Sequence, residues 1–184
     1  MAERVCPIWV GYLLLSPLRK LLENPEKMLG PFLEPGITVL EPGCGMGYFT
    51  LPMARMVGPE GRVVVVDIQS KMLEAVARRA RKAGLSEVIE TRLAQPGKLG
   101  VEDLEDRVDF SAAIHLVHEL PDRTMFFREL GRALKPGGRL LVIEPKGHVK
   151  VQDFEKTLEL AQGAGLRIDD LETDIRGRVA LLRK

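Results

Sequence analysis

Val39-Leu40-Glu41-Pro42-Gly43-Cys44-Gly45-Met46-Gly47 is the stretch on which the fold turns. Three glycines stand at every second position, after an apolar run and before a helical one. Without a β-carbon they permit a tight turn and let a ligand touch the backbone. The run Ile37 to Glu41 predicts a buried strand. Thr50 to Val57 predicts a helix, with Pro52 in its first turn, where a missing N–H costs nothing. Arg62 to Asp67 holds four consecutive valines, as in a strand covered on both faces. Asp67 closes that strand, twenty residues after Gly47.

The same alternation continues outward. Ser70 is placed to cap a helix that ends at Gly84. Val88 to Ala94 and Val108 to Ile114 predict the third and fourth strands. A helix from Asp122 to Leu134 stops at Lys135-Pro136-Gly137-Gly138. Arg139 to Glu144 predicts a fifth strand, and Val151 to Gln162 a further helix. The tail breaks the rhythm: Leu166 to Thr173 and Arg178 to Leu182 both read as strands. The short connection around Gly177 leaves no room for a crossover helix, so they must form an antiparallel hairpin. The expectation is an α/β fold, a single doubly wound Rossmann-like domain. Its seven-stranded sheet should be mostly parallel, with an antiparallel last strand.

Ahead of this domain, expected over residues 36–184, residues 1–35 read as an N-terminal helical extension. Leu14, Leu15, Leu18, Leu21 and Leu22 recur at helical spacing, and five prolines cut the segment into short pieces. Residues 5–30, with Trp9 and Tyr12, are expected to cover the pocket as a lid. A homodimer interface and a membrane-surface helix are the rival uses of that apolar face.

The chain has 184 residues, 45% of them hydrophobic and 29% charged, which suits one globular domain of ordinary size. Its net charge of +1 gives no global field to gather nucleic acid. The basic cluster Lys71, Arg78, Arg79, Arg81 and Lys82 reads as the solvated face of a helix. Two distant cysteines, Cys6 and Cys44, suggest neither a disulfide framework nor a zinc knuckle, and fit a reducing compartment. The chain start does not read as a secretory signal. Ile8 to Leu15 is far short of the ~20 apolar residues a membrane span needs. A cytoplasmic protein with no membrane span is expected.

Three ligands compete for the glycine turn. A nicotinamide dinucleotide would ask for G-x-G-x-x-G, but Tyr48 stands where the third glycine belongs. A P-loop would need Gly-Lys-Ser/Thr, which is absent. The third is an adenosyl ligand without phosphates. Glu41 favours it, because a carboxylate at the turn repels pyrophosphate and suits an ammonium. An acid at Asp67 can accept hydrogen bonds from both ribose hydroxyls, and Ile68 beside it can pack on a flat base.

These residues resemble motif I of the class I S-adenosylmethionine-dependent methyltransferases, and Asp67 resembles their ribose-binding acid. Lys135-Pro136-Gly137-Gly138-Arg139-Leu140 looks like the segment entering that family's fifth strand. The resemblance spans residues 36–184 and is nearest the ubiquinone/menaquinone-biosynthesis-like, methyltransferase type 11 group. It implies S-adenosylmethionine as cofactor, with Glu41 on the methionine end and Gly43, Gly45 and Gly47 lining it. Asp67 would hold the ribose and Ile68 would flank the adenine. Where the family often carries an acid for the adenine amino group, Ala94-Gln95 stands, and the Gln95 amide oxygen would accept the same hydrogen bond. Cys44 reads as a small packed residue.

The sequence leaves the acceptor open. A small molecule is expected. The nucleobase-modifying Asn/Asp-Pro-Pro-aromatic pattern is missing after strand four, where His115-Leu116-Val117-His118 stands instead. All three histidines fall in two loops, His115 and His118 after strand four and His148 after strand five. His118 and His148 are the candidate catalytic residues, with His118 as proton acceptor and Glu119 the neighbouring carboxylate that would raise its pKa. The alternative makes the histidines pocket walls. No metal is expected: His115 and His118 are a workable ligand pair, but methyl transfer needs no metal and no cysteine cluster supports one. At the level of the whole chain, the alternative is a non-catalytic cofactor-binding partner or sensor subunit.

Overall fold

The computed structural model describes Arg19, residues 23–173 and residues 178–184. Most of the expected lid lies outside the described residues, as does the connection around Gly177. The described part of the extension holds helix α1, Pro25–Leu29, followed by a 3-10 turn, Gly30–Phe32. Asn24 caps α1 by accepting from the Lys27 N–H, and Leu29 is fully buried.

Two compact units divide the chain, one ending at Ala94 and one beginning at Gln95. The first carries β1 (Thr38–Pro42), α2 (Thr50–Val57), β2 (Arg62–Asp67), α3 (Ser70–Ala83) and β3 (Ile89–Leu93). Strands β1, β2 and β3 run parallel, with Thr38 opposite Arg62 and Val63 opposite Ile89. Val63 to Val66 are at most 1% exposed. A strand that buries both faces gains roughly 1.5–3 kcal/mol per valine and does not need an amphipathic alternation.

The second unit carries β4 (Val108–Ile114), α4 (Arg123–Ala133), β5 (Leu134–Glu144), α5 (Val151–Gly163), β6 (Arg167–Thr173) and β7 (Arg178–Arg183). Strands β4 and β5 are parallel, and β7 is antiparallel to both β5 and β6. The hydrogen-bonded order of the seven strands is β3-β2-β1-β4-β5-β7-β6. The mostly parallel sheet with a reversed last strand is therefore present. Its last strand is an interior one, for a physical reason: Ala180 and Leu182 of β7 are fully buried, while β6 carries Asp169 and Asp170 on the sheet edge. Charge on an edge strand discourages pairing with another chain.

Two local expectations are corrected. Ser70 does not cap α3. Gln69 occupies the cap position, and the oxygen that accepts its backbone N–H comes from Asp67. Strand β5 begins at Leu134 rather than Arg139, because Lys135-Pro136-Gly137-Gly138 is a bulge inside the ladder. Gly137 sits at φ 80° and its N–H reaches the Lys184 carbonyl. A β-carbon on Gly138 would lie 2.9 Å from the Lys135 carbonyl oxygen, so the bulge closes only over glycine.

Candidate functional site

The glycine turn follows β1 and is tied to the end of β2. Gly43 N–H donates to the Val66 carbonyl at 2.7 Å, and Gly47 N–H to the Cys44 carbonyl at 3.0 Å. Gly43, Gly45 and Gly47 all have positive φ, at 69°, 51° and 81°, the region that favours glycine. They are not equivalent. A β-carbon on Gly47 would meet Val76 at 3.1 Å and Leu51 at 3.2 Å, so this glycine serves the packing of the turn on its helices. A β-carbon on Gly45 would meet nothing within 4 Å, so that face of the turn is open to a ligand.

Asp67 is engaged within the protein itself. Its Oδ2 accepts from the Gly45 N–H at 3.0 Å, and its Oδ1 from the Gln69 N–H at 2.9 Å. The carboxylate thus fastens the turn and starts α3, and the Ile68 N–H acts on it as well. Burial raises its pKa, against the lowering effect of those N–H donors.

Glu41 is buried deep beside the turn and accepts a hydrogen bond from the Thr50 hydroxyl. Burial pushes its pKa up to about 8; the Thr50 hydrogen bond opposes this and the nearby Asp67 charge adds to it. Thr50, itself fully buried, is the partner the sequence did not disclose. Cys44 is buried between these acids, and burial followed by the charges of Glu41 and Asp67 holds its thiol well above the ordinary range. That makes it a packed residue rather than a nucleophile. On the helix side, Arg79 donates to the Met46 carbonyl. Two adjacent buried acids, of which Glu41 gives up its proton only at a cost, suit a ligand that brings a cation, such as an ammonium or a sulfonium, and oppose a pyrophosphate.

Ile68 follows Asp67 and is 38% exposed, and Leu93 at the end of the neighbouring β3 is 60% exposed. The pair supplies bare apolar surface at adjacent strand ends, suited to a flat base. Ala94 donates its N–H to the Asp67 carbonyl at 3.0 Å, extending that edge. Gln95 opens the second unit, exposed, and bridges antiparallel to Lys98. The described part of the extension touches the residue that follows the glycine turn: the Tyr48 hydroxyl donates to the Glu23 carbonyl at 2.7 Å, and the Arg19 guanidinium lies 4.4 Å from the Tyr48 ring centre.

The histidines belong to the second unit. Ile114 of β4 pairs with Ile143 of β5, and the His115 N–H continues that ladder to the Ile143 carbonyl. His115 then turns the chain at φ 56°. Val117–Glu119 form a 3-10 turn, and this turn places His118. Glu144, the last residue of β5 and 1% exposed, receives the turn. Its Oε1 accepts the Val117 N–H at 2.7 Å, and its Oε2 is hydrogen-bonded to His118 Nδ1.

The carboxylate that acts on His118 is therefore Glu144 in the first place. Glu119 Oε1 lies 3.9 Å from Nε2, a nearby charge but not a hydrogen bond. The Glu144 hydrogen bond raises the His118 pKa; partial burial and Arg123 oppose, and the charges of Glu144 and Glu119 assist. His148, exposed in the loop after β5, has its ring centre 6.0 Å from that of His118. Both candidate histidines thus come together. An acid closing an apolar strand, as Asp67 closes β2, was the available signal for Glu144. Among the described residues, no group of three or more His, Cys, Asp or Glu is placed to hold a metal ion, and no helix is long and apolar enough to cross a membrane.

Comparison with known proteins supplies relatives. A family model described as a methyltransferase domain matches residues 33–172. The ubiquinone/menaquinone biosynthesis C-methyltransferase UbiE of Vibrio vulnificus is 34% identical over 110 residues, covering 60% of this chain and 42% of that enzyme. The demethylmenaquinone methyltransferase of Symbiobacterium thermophilum is 37% identical over 111 residues, 60% of this chain and 43% of the relative. The matched stretch thus spans less than half the length of these curated relatives. A crystal structure of a SAM dependent methyltransferase from Aquifex aeolicus superposes with a TM-score of 0.82 at 27% identity, covering 97% of this chain and 98% of that one.

Proposed function

Because the chain belongs to the methyltransferase domain family, we propose that it is an enzyme that transfers a methyl group from S-adenosylmethionine to a small-molecule acceptor. The observation that carries this reading is the glycine turn with two buried acids around an open backbone face. S-adenosylmethionine, when bound, supplies an activated methyl on a good neutral leaving group. The protein then has to hold, orient and desolvate.

Glu41 would take the methionine ammonium, Gly43, Gly45 and Gly47 would line the methionine chain, and Asp67 would accept from the ribose. Ile68 and Ala94 would border the adenine, with the Gln95 amide accepting from its amino group. His118 and His148 would face the acceptor, His118 as proton acceptor. The extension over residues 1–35 would act as lid; the contacts of Glu23 and Arg19 with Tyr48 support that reading. The quinone-related relatives and a net charge of +1 favour a small acceptor over nucleic acid. The buried, unpaired thiol of Cys44 fits a reducing cytoplasmic compartment.

The test is transfer of a labelled methyl group from S-adenosylmethionine into the small-molecule fraction of a cell extract. Wild-type protein should give a labelled product, and His118→Asn should lower its rate about 10²-fold with cofactor affinity near wild type. Equal rates in the His118→Asn and His148→Asn variants would show that these side chains only wall the pocket.

A further inference from the structure

Glu144 enters neither the motif that marks the family nor the cofactor region, yet it is one of the most deeply buried charged side chains described. Burying a carboxylate is costly unless its oxygens are satisfied. Here the two oxygens are divided between two partners: Oε1 takes the Val117 N–H and Oε2 takes His118 Nδ1. The backbone contact fixes the carboxylate's orientation, and the oriented carboxylate fixes the imidazole. Neutral His118 must then carry its proton on Nδ1, which leaves the Nε2 lone pair free of a proton. Arg123 reinforces the placement by donating to the His118 carbonyl at 3.4 Å and to the Thr157 hydroxyl at 3.2 Å.

We propose that Glu144 is a positioning residue that holds His118 with Nε2 as the proton acceptor, for an acceptor molecule that must lose a proton from a hydroxyl of phenol or enol type. This deepens the methyl-transfer reading and rests on it. The proton of the acceptor O–H passes to Nε2 while the bonding pair stays on the acceptor. The resulting phenolate or enolate is the nucleophile, at oxygen or at its conjugated carbon; a methylated ring carbon then gives up its own C–H proton to solvent while the oxygen regains one, which restores the ring. The positive charge lost by the methyl donor is balanced by the imidazolium, which Glu144 stabilises. A carboxylate or a tertiary amine needs no such base at neutral pH, so a built imidazole–carboxylate pair would be idle on them.

The groups facing His118 are Glu144 from β5, Glu119 from its own turn, Arg123 from α4 and His148 from the loop after β5. Glu144→Gln separates their effects. An amide has one accepting oxygen, so it can serve Val117 or His118 but not both. If the oxygen keeps Val117, the amide NH2 faces Nδ1 and drives the proton to Nε2.

Nitrogen NMR of the full chain, with His148→Asn for assignment, reads the tautomer without any substrate. Wild type should show neutral His118 protonated on Nδ1 and titrating above the ordinary imidazole range. In Glu144→Gln the titration should fall back toward that range. A wild-type His118 protonated on Nε2, or a titration unmoved in Glu144→Gln, would overturn the proposal even if the variant folds poorly, since the tautomer needs only wild type. With labelled S-adenosylmethionine and extract, the label should appear as an aryl or enol ether or a ring methyl, about 10²-fold more slowly in Glu144→Gln. Label on a sulfide, a quaternary amine or a carboxyl ester would contradict the acceptor class. Loss of all methyl transfer with the expected tautomer in place would fault the methyltransferase reading and leave the Glu144–His118 pairing standing.

Discussion

The two units treat their buried acids in opposite ways. Around the glycine turn, burial and then the Asp67 charge make Glu41 costly to ionise, burial does the same for Asp67, and a hydroxyl and backbone N–H groups are the partners that steady them. At the end of β5, Glu144 is matched with an imidazole and a backbone N–H. Among the described residues, the hydrogen-bond partners of the first arrangement include no cation, which suits a ligand that brings one. The second carries its own cation whenever His118 is protonated. Both hold a proton more tightly than an unfolded chain would, Glu41 through burial and His118 through its carboxylate.

The sharpest way to break this contrast is Glu41→Gln. It should weaken S-adenosylmethionine binding by about 2–3 kcal/mol, the scale of a lost hydrogen bond between charged groups. It should also remove a pH dependence. Folded, ligand-free Glu41 keeps its proton up to about pH 8, while an unfolded carboxyl releases it near 4.5. Stability from this group is thus full below 4.5 and drains away as pH rises toward 8. Melting curves of wild type should show that loss across the window, and Glu41→Gln should flatten it. Parallel curves for the two proteins would count against a buried, proton-holding Glu41.

A smaller effect separates Asp67 from a purely ligand-binding role. Asp67→Ala should weaken the cofactor by about 1–3 kcal/mol. It should also lower the stability of the ligand-free protein, because the Gly45 and Gln69 N–H groups lose their acceptor. Chemical denaturation without ligand tests the second half, and an unchanged midpoint would return Asp67 to the ribose alone. The smallest effect concerns helix starts. Asp122 caps α4 by accepting from the Met125 N–H, whereas Ser70 caps nothing. Asp122→Ala should cost about 1 kcal/mol and Ser70→Ala close to none, again by denaturant midpoint.

The same contrast explains what could be read from residues alone. The glycine turn, Glu41 and Asp67 lie within one strand–turn–helix–strand unit, so spacing along the chain stands in for distance. Element boundaries there agree within a residue or two, from Thr50–Val57 to Arg62–Asp67. The Glu144–His118 pair spans 26 positions and depends on β4 and β5 lying parallel in one register, with a left-handed turn at His115. Nothing in the local pattern carries that register, and the nearer Glu119 was the natural but secondary choice. Thr50 was hidden for a related reason, since a helix's first threonine reads as a terminus and not as a partner for the strand before it. The bulge at Pro136-Gly137-Gly138 reads as a helix stop because its strand partners, Val108 and Lys184, are distant in sequence.

The most direct test of the account is calorimetry of the full chain with S-adenosylmethionine and, separately, with NAD, in two buffers of different ionisation enthalpy near pH 7. S-adenosylmethionine should bind, and the measured heat should differ between buffers because Glu41 gives up its proton to face the ammonium. NAD should give no binding heat. Binding of NAD with no response to S-adenosylmethionine would contradict the reading of the glycine turn from which the rest follows.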